Sequence, residues 1–234
     1  MSLDVPALTP ASQTAVSLAF QTPAGRPLRR DAAQNRQRLL AAAAQVFAEH
    51  GLVAGVDEVA RAAGVGMGTL YRRFPTKQAL IDELIGDLRL RLLELARAAS
   101  GCGHGAGLEE LLTEAGQLQA DQPGCLQQLW NSSEAQPQAM TEFRQLVVSL
   151  LREGQRHGRI RPEATPGDIT MVFFSIRSVI DATRTVAPAA WRRHLELLIA
   201  GLRPAGDPTS QSELTQKPLS QAQLRRIVGD SSRR

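Results

Sequence analysis

Apolar residues recur at three- and four-residue intervals through most of the chain, the spacing of one face of an α-helix. The first helix is predicted over about residues 32 to 50, with Asp31 and Gln34 forming a capping box at its start. Gly51 is placed to end it in the left-handed conformation. Alternating strand patterns are hard to find, so the pattern favours an all-α protein.

Two short helices are predicted next, over 56–63 and about 66–73. Gly64 ends the first of them, because glycine adopts positive φ without steric cost. In the second, Leu70 and Phe74 lie four residues apart and face inward. This turns outward Gly68, Thr69, Arg72 and Arg73, with Met67 and Tyr71 at the edges of the exposed face. Helix, glycine turn and second helix together predict a helix-turn-helix.

A long helix is predicted over 77–99, with Thr76 as its N-cap. The glycine-rich stretch at 100–107 interrupts it. The same periodicity predicts five further helices, near 108–120, 123–131, 137–157, 166–186 and 188–203.

Glycines at every second position, Gly64, Gly66 and Gly68, raise the alternative of a nucleotide-binding loop. Such a loop needs a strand before it and the spacing GxGxxG or GKS/GKT, whereas here a helix leads in and the spacing is GxGxG. A glycine inside a helix costs up to ~1 kcal/mol relative to alanine. Placing Gly66 and Gly68 in the second short helix therefore requires a reason, and close approach to the major groove of DNA supplies one.

Charge supports an anionic partner for the first third of the chain. Between Arg26 and Arg97 there are 12 Lys+Arg and 8 Asp+Glu, an excess of +4 that equals the net charge of the whole chain. A basic surface of this kind attracts polyanions, although solvated arginine-rich helices would have the same composition.

The chain has few sequence features typical of membrane or disulfide-bonded proteins. No run reaches the roughly 18 apolar residues of a membrane span, and no signal peptide is recognisable, so a cytoplasmic protein without a membrane partner is expected. Cys102 and Cys125 are expected to be free thiols.

Two other function classes remain as alternatives. Cys102, His104 and Cys125 could bind zinc in an enzyme, but a fourth ligand at recognisable spacing, a Ser-His-Asp set and a Gly-x-Ser-x-Gly elbow are all missing. We therefore expect no catalytic residue, no metal and no cofactor. A nucleoid protein without sequence preference is disfavoured, because the C-terminal half carries no basic excess.

The stretches RLLAAAAQVFAEHG (38–51) and VDEVARAAGVGMGTLYRRFPTKQALIDEL (56–84) resemble the tetracycline-repressor (TetR-like) family of bacterial transcription regulators. The resemblance extends from about Asp31 to about Leu92. Two departures accompany it. Ala54 and Gly55 precede the first short helix where the family often has Thr or Ser, and Met67 and Gly68 replace polar or proline residues of some members, so the base preference cannot be read.

The resemblance implies that residues 66–73 form the recognition helix. Thr69 and Arg73 would face bases or nearby backbone, while Tyr71 and Lys77 would hold phosphates. The alternative for Tyr71 is that its ring completes a core. The DNA-binding set expected from sequence is Gly66, Met67, Gly68, Thr69, Tyr71, Arg72, Arg73 and Lys77.

Composition and the lack of a sustained period predict a flexible leader (1–30) and a flexible tail (204–234). Between them the resemblance implies a helix-turn-helix domain (31–76) and an effector-binding and dimerisation domain (77–203). A homodimer would form through the helices near 166–186 and 188–203. Their apolar stripes suit such an interface but would equally fit the core of one protomer: Val172, Ile176, Val179, Ile180, Leu195, Leu198, Ile199 and Leu202.

An unidentified small-molecule effector is expected among the middle helices. Five apolar residues are candidate contacts, and two arginines are candidate orienting charges, each also compatible with ordinary core or surface: Trp130, Met140, Phe143, Met171 and Phe174, with Arg144 and Arg177. The function expected from sequence is a DNA-binding repressor that an effector releases from a palindromic operator.

Overall fold

The computed structural model describes residues 26–122, 137–205 and 214–230, and every regular element within them is an α-helix. The all-α class predicted from sequence is confirmed. The chain divides after Asn35 into two units, and all packing discussed below lies within the second, which begins at Arg36.

The described helices before residue 205 agree with the predicted ones to within three residues, apart from the start of the first. The predicted helix at 123–131 lies outside the described residues. In chain order the helices are α1 (Arg26–His50), α2 (Val56–Ala63), α3 (Met67–Arg73), α4 (Lys77–Ala99), α5 (Gly107–Asp121), α6 (Pro137–Arg156), α7 (Pro166–Thr183), α8 (Ala190–Leu202) and α9 (Gln221–Asp230).

The predicted start of α1 is wrong. The helix begins at Arg26, so Asp31 lies inside it and the capping box with Gln34 does not mark its N-terminus. Pro27 is compatible with the earlier start, because a proline in the first turn removes an N–H that has no helical partner. The predicted end is confirmed, with Gly51 at φ 73°.

A helix also lies in the segment that sequence analysis treated as a flexible tail. Ser220 precedes α9, and its hydroxyl accepts a hydrogen bond from the Gln223 amide at 3.3 Å. A Cβ added at Gly167, in the first turn of α7, would lie 3.3 Å from Leu224 Cδ1. This part of the tail therefore packs on the start of α7, and the four-part division of the chain stays a prediction.

The head of the molecule, residues 36–76 with the start of α4, closes around aromatic and aliphatic side chains. Phe47 of α1, Val59 of α2, Leu70 of α3 and Leu80 of α4 are each completely buried. Burying a side chain of this size contributes about 1.5 to 3 kcal/mol. α4 then continues into the body, where it packs against α5 and α6 while α7 packs against α8.

An acidic residue joins three parts of the body. Glu109 of α5 accepts hydrogen bonds from the guanidinium of Arg203, which follows α8, and Arg159 in the turn after α6 approaches it to 3.5 Å. The hydrogen bond from Arg203 is the main reason that the pKa of Glu109 lies below its usual range, despite the opposing effect of burial. The carboxylate is therefore held in its charged form.

Glu109→Gln is expected to lower the thermal unfolding midpoint near pH 7 by about 2 to 4 °C, because a neutral amide loses the charge-assisted bonds. Because the folded-state pKa is lowered, this stabilisation is present above the ordinary Glu pKa and is lost as pH falls through the lowered value. Calorimetry of both proteins from about pH 7 to about pH 3 should show the gap closing on acidification.

Glu110→Gln is the matched control, because Glu110 is the exposed neighbour on the same helix. Its midpoint should follow the wild type. A gap for Glu109→Gln that stays constant across the pH range would contradict the ion-pair account.

Candidate DNA-binding site

A tight corner joins α2 to α3. Gly64 adopts φ 66° and ψ 33°, and its amide donates to Arg61 O at 3.1 Å. The next amide, of Val65, donates to Ala60 O at 3.0 Å. Glycine adopts positive φ without the steric cost that a side chain adds, so Gly64 sets the direction in which α3 leaves α2. The predicted helix-turn-helix is confirmed.

The start of α2 has half of a capping box. Gly55 precedes the helix and has no side chain to cap it, but its amide donates to Glu58 Oε1 at 2.9 Å. His50, in the last turn of α1, lies 2.8 Å from the other Glu58 oxygen. The bond from Gly55, followed by that from His50, lowers the pKa of Glu58. The weaker cap expected from sequence is thus compensated by a link to α1.

Burial of one face of α3 determines which side chains reach solvent. Leu70 is completely buried and Phe74 is 1% exposed. On the opposite side Tyr71 is 47% exposed, Met67 is 36% exposed, and Thr69 is half-buried. Gly68, Arg72 and Arg73 are exposed. The orientation of α3 is the one that the i,i+4 spacing predicts.

Both glycines before and within α3 are open to solvent. Beyond the local backbone, no described residue lies within 4 Å of a Cβ added at Gly66 or at Gly68. The assignment of Gly66 to the helix interior is wrong: it is the N-cap, at φ −74° and ψ 150°, and therefore incurs no helix-interior penalty. Only Gly68 carries that cost, and it leaves a bare stretch of backbone on the exposed face.

Arg73 is held in place by an acidic residue of α4. Its guanidinium lies 3.5 Å from Glu83 Oε1 and 5.8 Å from the Phe74 ring centroid, and its side chain is half exposed. Arg36 of α1 pairs with the same Glu83 oxygen, and also with Asp87 at 3.3 Å. Sequence reasoning missed Glu83, because helical spacing gives no signal for a contact between different helices.

Lys77 lies at the first position of α4, and its ammonium donates to Leu52 O at 2.6 Å. It also lies 5.9 Å from the Phe47 ring centroid. The predicted N-cap, Thr76, accepts a hydrogen bond from the Ala79 amide at 3.0 Å. Lys77 therefore secures the turn after α1 with one of its three donors, a role that sequence reasoning did not assign.

The candidate effector residues that the structure describes lie partly in the core and partly at the surface. Met140 and Phe143 of α6 are buried in the core, where the Phe143 and Phe173 rings lie 6.0 Å apart. Arg144 is exposed. The α7 candidates are half-buried, namely Met171, Phe174 and Arg177, the last with its guanidinium 4.9 Å from the Phe174 ring centroid. Trp130 lies outside the described residues. A cleft of about 600 Å³ between α1 and α4 is bordered by none of these six.

The apolar stripes named for dimerisation lie mostly in the protomer core. Ile176 is completely buried, and Val172, Ile180, Leu195 and Leu202 are each less than 9% exposed. Val179, Leu198 and Ile199 are half-buried against the same core. Five of the eight stripe residues are therefore buried within one protomer, and three remain partly exposed.

The proposed zinc set is incomplete in the structure. Cys102 is a free, half-buried thiol in the turn between α4 and α5, and His104 has φ 61° in the same turn. Cys125 lies outside the described residues, within which no three His, Cys, Asp or Glu side chains are grouped to hold a metal. Across the described ranges, no helix is long and apolar enough to cross a membrane.

Comparison with known proteins covers both halves of the chain. Residues 39–84 match the family model described as bacterial regulatory proteins, tetR family, and residues 105–204 match that of the transcriptional regulator SbtR-like C-terminal domain. The HTH-type transcriptional repressor KstR2 of Rhodococcus jostii (strain RHA1) is 32% identical over 156 residues, which cover 61% of this chain and 74% of that protein.

Solved structures of TetR regulators are also similar to this chain. The TetR transcription regulatory protein of Mycobacterium vanbaalenii is 31% identical with a TM-score of 0.53, over 76% of this chain and 100% of that one. The TetR regulator SCO0520 of Streptomyces coelicolor is 27% identical with a TM-score of 0.54, over 73% of this chain and 99% of that one. With its helix-turn-helix and helical C-terminal body, this chain belongs to the TetR family of DNA-binding bacterial transcriptional regulators.

Proposed function

We propose that the protein is a homodimeric repressor that binds a pseudo-palindromic operator through two copies of α3 and leaves it when a small-molecule effector binds. The observation that carries the proposal is the exposed face of α3, where bare glycine backbone adjoins a hydroxyl, a phenol and two guanidinium groups. A surface of this kind fits the major groove, which accepts a helix and offers acceptors to arginine.

Each residue of this face has a role in the proposal. Gly66 and Gly68 permit close approach, Thr69 and Arg73 contact bases or the backbone beside them, and Met67 packs at the edge. Tyr71, Arg72 and Lys77 contact phosphates, with Lys77 using the donors that Leu52 leaves over. Half-sites would lie about one helical turn apart, roughly 34 to 36 Å.

The proposed dimer forms through the outer faces of α7 and α8. Support comes from Leu197, which is 61% exposed although it is a large aliphatic residue. Ser175 of α7 and His194 of α8 are hydrogen-bonded, so the two helices are fixed to each other and present a joint face. Beyond the local backbone, no described residue lies within 4 Å of a Cβ added at Gly201, so this position leaves room for a partner helix.

The proposed effector site retains the candidates of the middle helices. Met140 and Phe143 would supply apolar contacts, together with Trp130, Met171 and Phe174. Arg144 and Arg177 would orient a polar group of the ligand. Arg177 supports this, because burial lowers its pKa and its Nη1 is buried with no hydrogen-bond partner among the described residues. Effector binding would favour a state in which the two α3 helices no longer match the operator.

Gly68→Ala should weaken operator binding about tenfold or more, because the added methyl group keeps α3 from the groove floor. The fold should be unaffected or slightly more stable, since alanine is the better helix former and nothing lies within 4 Å. Fluorescence anisotropy with labelled operator, alongside thermal unfolding, measures both. Gly103→Ala, at another open glycine far from α3 in sequence, should bind normally. Wild-type affinity in Gly68→Ala would reject close approach at this residue.

Footprinting of the DNA upstream of the protein's own gene should reveal a protected pseudo-palindrome. Tyr71→Phe should reduce affinity for it by about fivefold through loss of one hydrogen bond.

The logarithm of the association constant for operator DNA should fall linearly with the logarithm of the salt concentration, because phosphate contacts release counterions. Lys77→Ala should also weaken binding, but it removes the bond to Leu52 as well, so Tyr71→Phe is the cleaner variant. Equal competition by unrelated DNA would instead indicate binding without sequence preference.

Leu197→Glu should convert the dimer into a monomer at micromolar concentration, because a carboxylate would be buried unpaired in the interface. Sedimentation velocity measures this directly. Leu90→Glu is the control, since Leu90 is another exposed leucine, 39% accessible, on α4. A Leu197→Glu protein that sediments as the wild-type dimer would remove α8 from the interface.

A further inference from the structure

The C-terminal end of α1 receives a cation from a residue far along the chain. Arg184 Nη1 donates to Ala48 O at 2.7 Å, across 136 positions of sequence. The last carbonyls of a helix lack helical partners, and the helix dipole makes this end negative. A guanidinium that donates to Ala48 O therefore satisfies both requirements at once.

Arg184 is itself placed by α7. It is the C-cap of that helix, and its amide donates to Ile180 O at 3.0 Å. Asp181, nearly one turn earlier, attracts the Arg184 guanidinium. The side chain thus extends from a fixed point at the end of α7, one of the two helices assigned to the dimer interface, to the head.

The contact between Arg184 and Ala48 lies next to the segment that determines the orientation of α3. Gly51, at the end of α1, lies between two carbonyls that accept from cations: Ala48 O from Arg184 and Leu52 O from Lys77. The turn after Gly51 leads directly into α2, and the Gly64 corner then sets the direction of α3. The Arg184 side chain therefore connects α7 to the end of α1, and α2 with the Gly64 corner continues this connection to the recognition helix.

We propose that Arg184 is a positioning residue that fixes the head against α7 and thereby sets the separation of the two recognition helices in the dimer. This inference rests on the proposed dimeric function. If Arg184 has this role, its removal should change how well the dimer distinguishes between operators with different half-site spacings. The contacts within each half-site should stay intact. One charge-assisted hydrogen bond is strong enough to change such a preference by about tenfold.

The experiment compares the wild type with Arg184→Ala, Arg184→Lys and the control Arg193→Ala, which removes an exposed arginine of α8. Affinities are measured for three kinds of DNA: the palindrome, palindromes lengthened or shortened between the half-sites by one or two base pairs, and a single half-site. Unfolding midpoints and sedimentation are recorded for every variant.

In Arg184→Ala the preference for the correct spacing should be about tenfold weaker than in the wild type, with half-site affinity and dimer unchanged. The unfolding midpoint should fall by no more than about 2 to 4 °C, the effect of losing one such hydrogen bond. Arg184→Lys should recover part of the preference, because an ammonium can donate to the same carbonyl. Arg193→Ala should behave as the wild type.

Three outcomes overturn the proposal. An unchanged spacing preference in Arg184→Ala removes the positioning role while leaving the dimeric repressor intact. An equal loss on the half-site means that Arg184 acts within the head or on DNA. A wild-type protein with no spacing preference overturns both this role and the proposed dimeric recognition.

Discussion

The burial of Leu70 and Phe74 is the constraint from which the rest of the recognition surface follows. α3 has only seven residues, too few to be stable alone, so its position depends on tertiary packing. Two buried side chains of this size contribute several kcal/mol together, against at most ~1 kcal/mol for the glycine within the helix. The packing therefore overrides the poor helix propensity of Gly68, and it turns the glycine, hydroxyl and arginine edge to solvent.

Polar contacts hold the head together and, at Arg184, join it to the body in addition to α4. Glu83 of α4 accepts from both Arg36 and Arg73, so it joins α1 to the end of the recognition helix. Lys77 and Arg184 bring cations from α4 and α7 to the end of α1. The proposed effector response could reach α3 through these contacts, because a displacement of α4 or α7 would change their distances.

Helix ends were predictable where their cause is local. Gly51, Gly64 and Thr76 each act within a few residues, and each ends or begins a helix where the sequence predicts it. Asp31 has the residue type of a cap, yet α1 extends past it to Arg26, because good helix formers and Pro27 also permit helix there. The N-cap geometry of Gly66 was missed for a related reason, because a glycine is found both at helix N-caps and inside helices.

Contacts between distant segments were beyond the reach of the pattern. Nothing in the spacing of Lys77, Glu83 or Arg184 indicates their partners. The stripes of α7 and α8 illustrate a second limit, since helical periodicity marks a buried face without saying what buries it. Ile176 and Leu195 turned out to be core residues, whereas Leu197, outside the stripe, is the exposed one.

Photo-cross-linking tests the central claim, that the exposed face of α3 contacts DNA, most directly. The full chain is bound to a fragment of its own upstream DNA that carries 5-iodouracil in place of thymine, irradiated and digested, and the attached peptides are identified by mass spectrometry. The account predicts cross-links within residues 66–77, with Tyr71 and Met67 as the principal sites. Cross-links confined to the body, with this segment unmodified, would contradict it.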